Sequence, residues 1–151
     1  MSQPIVLVTF SCQTGETEKL ALSAAVGAVQ ARALIRLRRI PDGDSVSDNA
    51  EAVRMRKEYV PPAEADVVGA DALIFAAGSE ADMLSAPWHD FLNLLLRLSK
   101  EDKLGGKVGA SIGGLSAALA GLRFLTVTQL SSDALALGRN VAEMARSLKS
   151  S

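Results

Sequence analysis

The sequence predicts an α/β fold, with a five-stranded parallel sheet, helices on both of its faces, and the whole chain, residues 1–151, in a single domain. Two observations carry that expectation. Five short apolar runs alternate with helical patterns along the chain, and three of those runs end in loops rich in Gly, Ser or Thr. A chain that alternates this way folds through right-handed crossovers, which places parallel strands in one sheet and covers both faces.

The first run, Ile5 to Phe10, is continuous rather than alternating, as expected of a strand buried on both faces. From Glu16 to about Ala31 the pattern is helical, with Leu20, Ala21, Ala24 and Ala28 in an apolar stripe. Ala33 to Ile40 returns to strand and is closed by Pro41, Asp42 and Gly43, a turn signal. Alternation in LIRLRRI assigns Arg36, Arg38 and Arg39 to the solvent side of that strand. Ser45 to Tyr59 is polar and only weakly helical, an exposed helix or a mobile connection. Pro61 and Pro62 begin a short helix through about Val68, because proline is tolerated where a first-turn amide is unused.

Asp71 to Ala77 reads as a second buried strand, followed by the loop GSEADMLSAP and a helix from about Trp88 to Leu98. Lys107 to Ile112 is another strand and runs into Gly113 and Gly114. A short helical piece precedes the strand Phe124 to Thr128. The last helix spans about Ser132 to Leu148, with Leu135, Leu137, Val141, Met144, Ala145 and Leu148 on or near its apolar face.

Composition narrows the functional classes. A formal net charge of -1 provides no electrostatic footprint for nucleic acid or anionic membrane. The longest apolar stretches fall far short of a bilayer span, and the N-terminus lacks the basic region and cleavage site of a secretory signal. With one cysteine, Cys12, no internal disulfide can form, which is consistent with a cytoplasmic protein. The single histidine, His89, opens a helix between Trp88 and Asp90 and reads as a surface or capping residue. One His, one Cys and scattered carboxylates supply neither a hydrolytic triad nor metal-ligand spacing.

In a parallel sheet of this kind ligands bind at the carboxyl ends of the strands, so the loops after Phe10, Ala77 and Ile112 are the candidates. The first reads SCQTGET and opens directly into a helix. Helix N-termini carry free amide donors and the positive end of the macrodipole, so such a loop can take a phosphate without a basic side chain. Gly15 allows close backbone approach, and the hydroxyls of Thr14 and Thr17 can donate to phosphate oxygens or cap the helix. Neither a nucleotide P-loop nor a G-x-G-x-x-G fingerprint is present. A cysteine phosphatase would place Arg six positions after Cys12, and Glu18 stands there instead.

The segment CQTGETEKLA resembles the FMN phosphate loop of flavodoxins, [ST]-x-T-G-x-T-x-x-x-A, through Thr14, Gly15, Thr17 and Ala21, with Cys12 in the hydroxyl position. The order and length of the whole chain are similar to flavodoxins and to WrbA-like NAD(P)H:quinone oxidoreductases. FAAGSEADMLSAPWHDFLN resembles the second flavin loop of that group, and GGKVGASIGG its fourth strand and third loop. The resemblance implies a flavodoxin-like fold with bound FMN and with NAD(P)H as a reductant. Its cofactor-binding residues would be Ser11, Cys12, Gln13, Thr14, Gly15, Glu16 and Thr17 around the phosphate, with Glu16 turned away. Gly78, Ser79, Glu80, Ala81 and Asp82 would approach the ring, and Ser111, Ile112, Gly113 and Gly114 would line ribityl or ring. It further implies a small-molecule or protein redox partner and self-association. No side chain is required as an acid or base.

The second loop departs from the usual P-T-x-F-G-N-M, and its Glu80 and Asp82 bring negative charge toward a flavin that becomes more electron-rich on reduction. With aromatic residues at 4%, Trp88 and Tyr59 are the leading candidates for a stacking ring. The alternative is a flavin-free module of the same fold that acts through protein contacts.

Overall fold

The computed structural model describes residues 3–11, 15–41, 50–77, 86–112, 125–126 and 134–150. Strand β1 is Ile5–Ser11, helix α1 Gly15–Gln30, β2 Leu34–Arg39, α2 Ala50–Glu58 and α3 Glu64–Gly69. They are followed by β3 Ala72–Ala77, α4 Ala86–Lys100, β4 Val108–Ile112, β5 Leu125–Thr126 and α5 Ala134–Ser150. The strands lie in the order β2-β1-β3-β4-β5, and every pairing is parallel. Four strands of five to seven residues form the body of the sheet, and the fifth is a two-residue pairing on β4.

Period-two alternation divides the strand residues between two cores. Val6, Val8, Phe10, Ile74, Ala76, Val108 and Ala110 face α1 and α5, whereas Leu7, Leu73 and Phe75 face α3 and α4. On the second face bulky side chains fill the space: Trp88, Phe91, Leu95 and Leu98 of α4 pack with Phe75 and Val67. On the first face the inner side of α1 is Ala21, Ala24, Ala25 and Ala28. Glycines bring α1 and α5 together there. A methyl at Gly27 would stand 1.9 Å from the Leu135 carbonyl oxygen, and one at Gly138 1.8 Å from that of Ala24.

Several expectations are corrected. Leu20 is 39% exposed, because the close approach to the sheet leaves room only for alanine on the inner side of α1. Met144 and Leu148 are likewise exposed on α5. The stretch expected to be an exposed helix or a mobile connection contains the helix α2, but its Ala52 and Met55 are fully buried. Helix α3 begins after the prolines rather than at them, because the Asp66 carboxylate accepts a hydrogen bond from the Ala63 amide at 2.9 Å and caps the chain at that point. The arginines of β2 are not simply solvent-facing. Arg39 is 4% exposed, and Arg38 and Arg36 reach Asp66 of α3 at 3.1 and 3.8 Å.

Candidate functional site

The chain runs from β1 outward to β2 and then back across β1 to β3, so the direction of winding reverses between β1 and β3. At such a switch point the loops separate and leave a crevice at the carboxyl edge. The register brings three strand ends to that edge. Ser11 pairs with Ala77, Phe75 with Ser111, and Ala76 with Ile112. Helix α1 starts at Gly15, four residues past Ser11, so its free amide donors open beside the crevice. Ser11 and Thr17 are both buried there, at 7% and 5% exposure.

One turn into α1 lies Glu18, whose side chain is 7% exposed. Arg54 of α2 donates to both of its carboxylate oxygens, at 3.0 and 2.5 Å, and the Tyr59 hydroxyl donates at 2.6 Å. Arg54 also meets Glu58 one turn along its own helix, at 2.7 Å. The Arg54 hydrogen bond holds the Glu18 carboxyl below its ordinary pKa against the opposing effect of burial. Burial, reinforced by the bond to Glu18, raises the Tyr59 phenol pKa, so its proton stays in place. The Tyr59 ring meets Phe10 of β1 edge-on, with centroids 4.9 Å apart.

The donor set fits an anion. The free backbone amides of the first turn of α1 open there, Thr17 is buried in that turn, and the buried Glu18 carboxylate one turn in is paired with Arg54. Among the described residues no group of three or more His, Cys, Asp or Glu could hold a metal ion. No described helix is long and apolar enough to cross a membrane.

No protein-family model matches the chain. Over 111 residues it is 31% identical to a protein of Archaeoglobus fulgidus named NAD(P)H dehydrogenase (quinone), an alignment covering 70% of this chain and 58% of that one. The chain thus spans little more than half the length of that relative. Among solved structures it is similar to a flavodoxin from the domain Archaea, with a TM-score of 0.63, 12% identity and coverage of 96% and 99% of the two chains. It is also similar to a WrbA-like flavodoxin from Agrobacterium tumefaciens, with a TM-score of 0.58, 17% identity and coverage of 97% and 99%. The fold is flavodoxin-like.

Within this flavodoxin-like frame the structure places part of the expected site. Ser11, Gly15, Glu16 and Thr17 belong to the end of β1 and the start of α1, and Ser111 and Ile112 end β4. Cys12, Gln13, Thr14, Gly78, Ser79, Glu80, Ala81, Asp82, Gly113 and Gly114 lie outside the described residues. The two candidate stacking rings are committed elsewhere. Trp88 is fully buried under α4, 6.0 Å from Phe91 between ring centroids, and Tyr59 is held between Phe10 and Glu18. His89 is exposed in the first turn of α4, as expected.

Sequence reasoning missed the Glu18, Arg54 and Tyr59 network. Glu18 drew notice only because an arginine was absent there, and its partner is 36 residues away. No local spacing announces such a pair. The available signal was the tyrosine closing an otherwise polar segment, since a buried phenol needs a hydrogen-bond acceptor.

Proposed function

We propose that the chain binds FMN noncovalently at the carboxyl edge of β1, β3 and β4 and transfers electrons, as an NAD(P)H-dependent quinone or flavin reductase. The observation that carries this reading is the opening of α1 at the switch point between β1 and β3, within the TGET segment. The name of the Archaeoglobus relative supports the reductase part of it. Ser11 and the segment from Cys12 to Thr17 would hold the phosphate through amides and hydroxyls. Residues Gly78 to Asp82 and Ser111 to Gly114 would border the ring and ribityl chain. Bound flavin would supply the redox chemistry, accepting hydride from a nicotinamide and passing electrons onward. The protein's part is to bind it, orient it and limit its contact with water.

The test is a fluorescence titration of the purified protein with FMN, with riboflavin as the partner lacking phosphate. Saturable quenching at least about tenfold tighter for FMN is expected, a difference of about 1.4 kcal/mol. Thr14→Glu places charge in the phosphate cradle and is expected to abolish that preference. Absence of binding by either flavin overturns the reading. Turnover of NAD(P)H without an added carrier protein separates a reductase from a passive electron carrier.

A second reading is favoured by one observation. Trp88 and Tyr59, the rings proposed for stacking, are both packed into the protein. A flavin-free module acting through protein contacts would need no stacking ring, and it predicts no binding in the same titration.

A further inference from the structure

We propose that Arg54 is a positioning residue for the anion end of α1: it offsets the charge of Glu18 beside the first turn and, with Tyr59, ties the start of α1 to the end of β1. The inference rests on the reading that this end of α1 takes the phosphate of FMN.

The geometry carries it in two steps. Glu18 is three residues beyond Gly15, about 4.5 Å along the helix axis, and helical side chains lean back toward the N-terminus. Its carboxylate therefore lies alongside the first turn, where an unmatched negative charge would oppose a phosphate dianion. Arg54, itself 41% exposed, meets that carboxylate with two donors, at 3.0 and 2.5 Å, and the Glu18 side chain is only 7% exposed.

The second step concerns the loop ends. Tyr59 follows α2 directly and touches both flanks of the loop, its hydroxyl on Glu18 of α1 and its ring on Phe10 of β1. Helix α2 is itself anchored by the buried Met55 and Ala52. One segment, Arg54 to Tyr59, thus ties the end of β1 to the start of α1.

The experiment compares wild type, Arg54→Met, Glu18→Gln and the Glu18→Gln/Arg54→Met double variant. FMN and riboflavin are titrated by fluorescence, and inorganic phosphate is tested by thermal shift against chloride at equal ionic strength. Arg54→Met is expected to weaken FMN about tenfold and leave riboflavin within about twofold, and the double variant to return FMN to within about threefold of wild type. Loss of both flavins in parallel, or a double variant no better than Arg54→Met, would reduce the network to a structural prop and overturn the proposal. Should Arg54→Met fail to fold because Glu18 is left buried and unpaired, Glu18→Gln decides. FMN binding equal to wild type or tighter supports the proposal, and weaker binding overturns it. If wild type takes neither flavin, the functional reading falls and the phosphate shift decides the proposal alone. A shift lost in Arg54→Met and regained in the double variant supports it, and no shift in wild type overturns it.

Discussion

The two faces of the sheet are closed by opposite means. Toward α3 and α4 the helices stand off and large side chains fill the gap: Trp88, Phe91, Leu95 and Leu98 against Leu7, Leu73 and Phe75. Toward α1 and α5 the gap is narrow and alanines fill it, with Gly27 and Gly138 letting one helix backbone rest on the other. The two faces respond to mutation with opposite sensitivity, since a core filled by bulk fails when atoms are removed and one closed by contact fails when atoms are added.

The largest effect is expected on the bulky face. Trp88→Ala removes a fully buried indole from beneath α4 and is expected to cost about 3–5 kcal/mol in denaturant unfolding. A loss below about 1 kcal/mol would mean that this face collapses around the cavity and that the contrast between the faces is weaker than the packing suggests.

On the contact face the sign of a small change is the sharper test. Replacing an exposed helical glycine by alanine stabilises by about 1 kcal/mol through propensity alone. Gly138→Ala and Gly27→Ala are instead expected to destabilise by about 1–3 kcal/mol, because each new methyl would meet a backbone carbonyl oxygen that cannot rotate aside. Stabilisation by either substitution would show that α1 and α5 have room to part, and the distinction between the two faces would then fail.

The same contrast explains what the sequence disclosed. The buried strands, the order of elements and α4 were legible because bulky β-branched and aromatic runs announce burial directly. The α1 and α5 contact was not, since its determinants are Ala24, Gly27, Leu135 and Gly138, and small residues carry little hydropathy signal. In α1 the expected stripe kept Ala21, Ala24 and Ala28 on the inner side, and Leu20 alone of it was left exposed. The candidate site divides likewise. Its position at the ends of β1 and β4 followed from element order and the TGET segment, whereas Glu18, Arg54 and Tyr59 are joined only by tertiary geometry.

The smallest expected effect concerns the carboxylates that tie each face to a neighbouring helix. Glu18 fastens α1 to α2, and Asp66 of α3 holds Arg38 and Arg36 of β2 on the other face. Both carboxyls are held below their ordinary pKa. For Glu18 the leading cause is the Arg54 hydrogen bond; for Asp66 burial acts upward and is outweighed by the Ala63 amide and Arg38. A depressed carboxyl contributes stability above its unfolded pKa, 4.5 for Glu18 and 3.8 for Asp66, and loses it as pH falls through the lower folded value. Wild-type stability is therefore expected to hold from pH 7 down to about 5 as far as these two groups are concerned, and to decline below that. Glu18→Gln should cost about 1 kcal/mol at pH 7 and make the acid decline shallower, with its largest correction starting near pH 4.5. Asp66→Asn should act at lower pH, beginning near 3.8. Denaturant midpoints measured across pH 3 to 7 distinguish the two, and a Glu18→Gln profile parallel to wild type would show that α2 is held on α1 by Met55 and Ala52 without help from the ion pair.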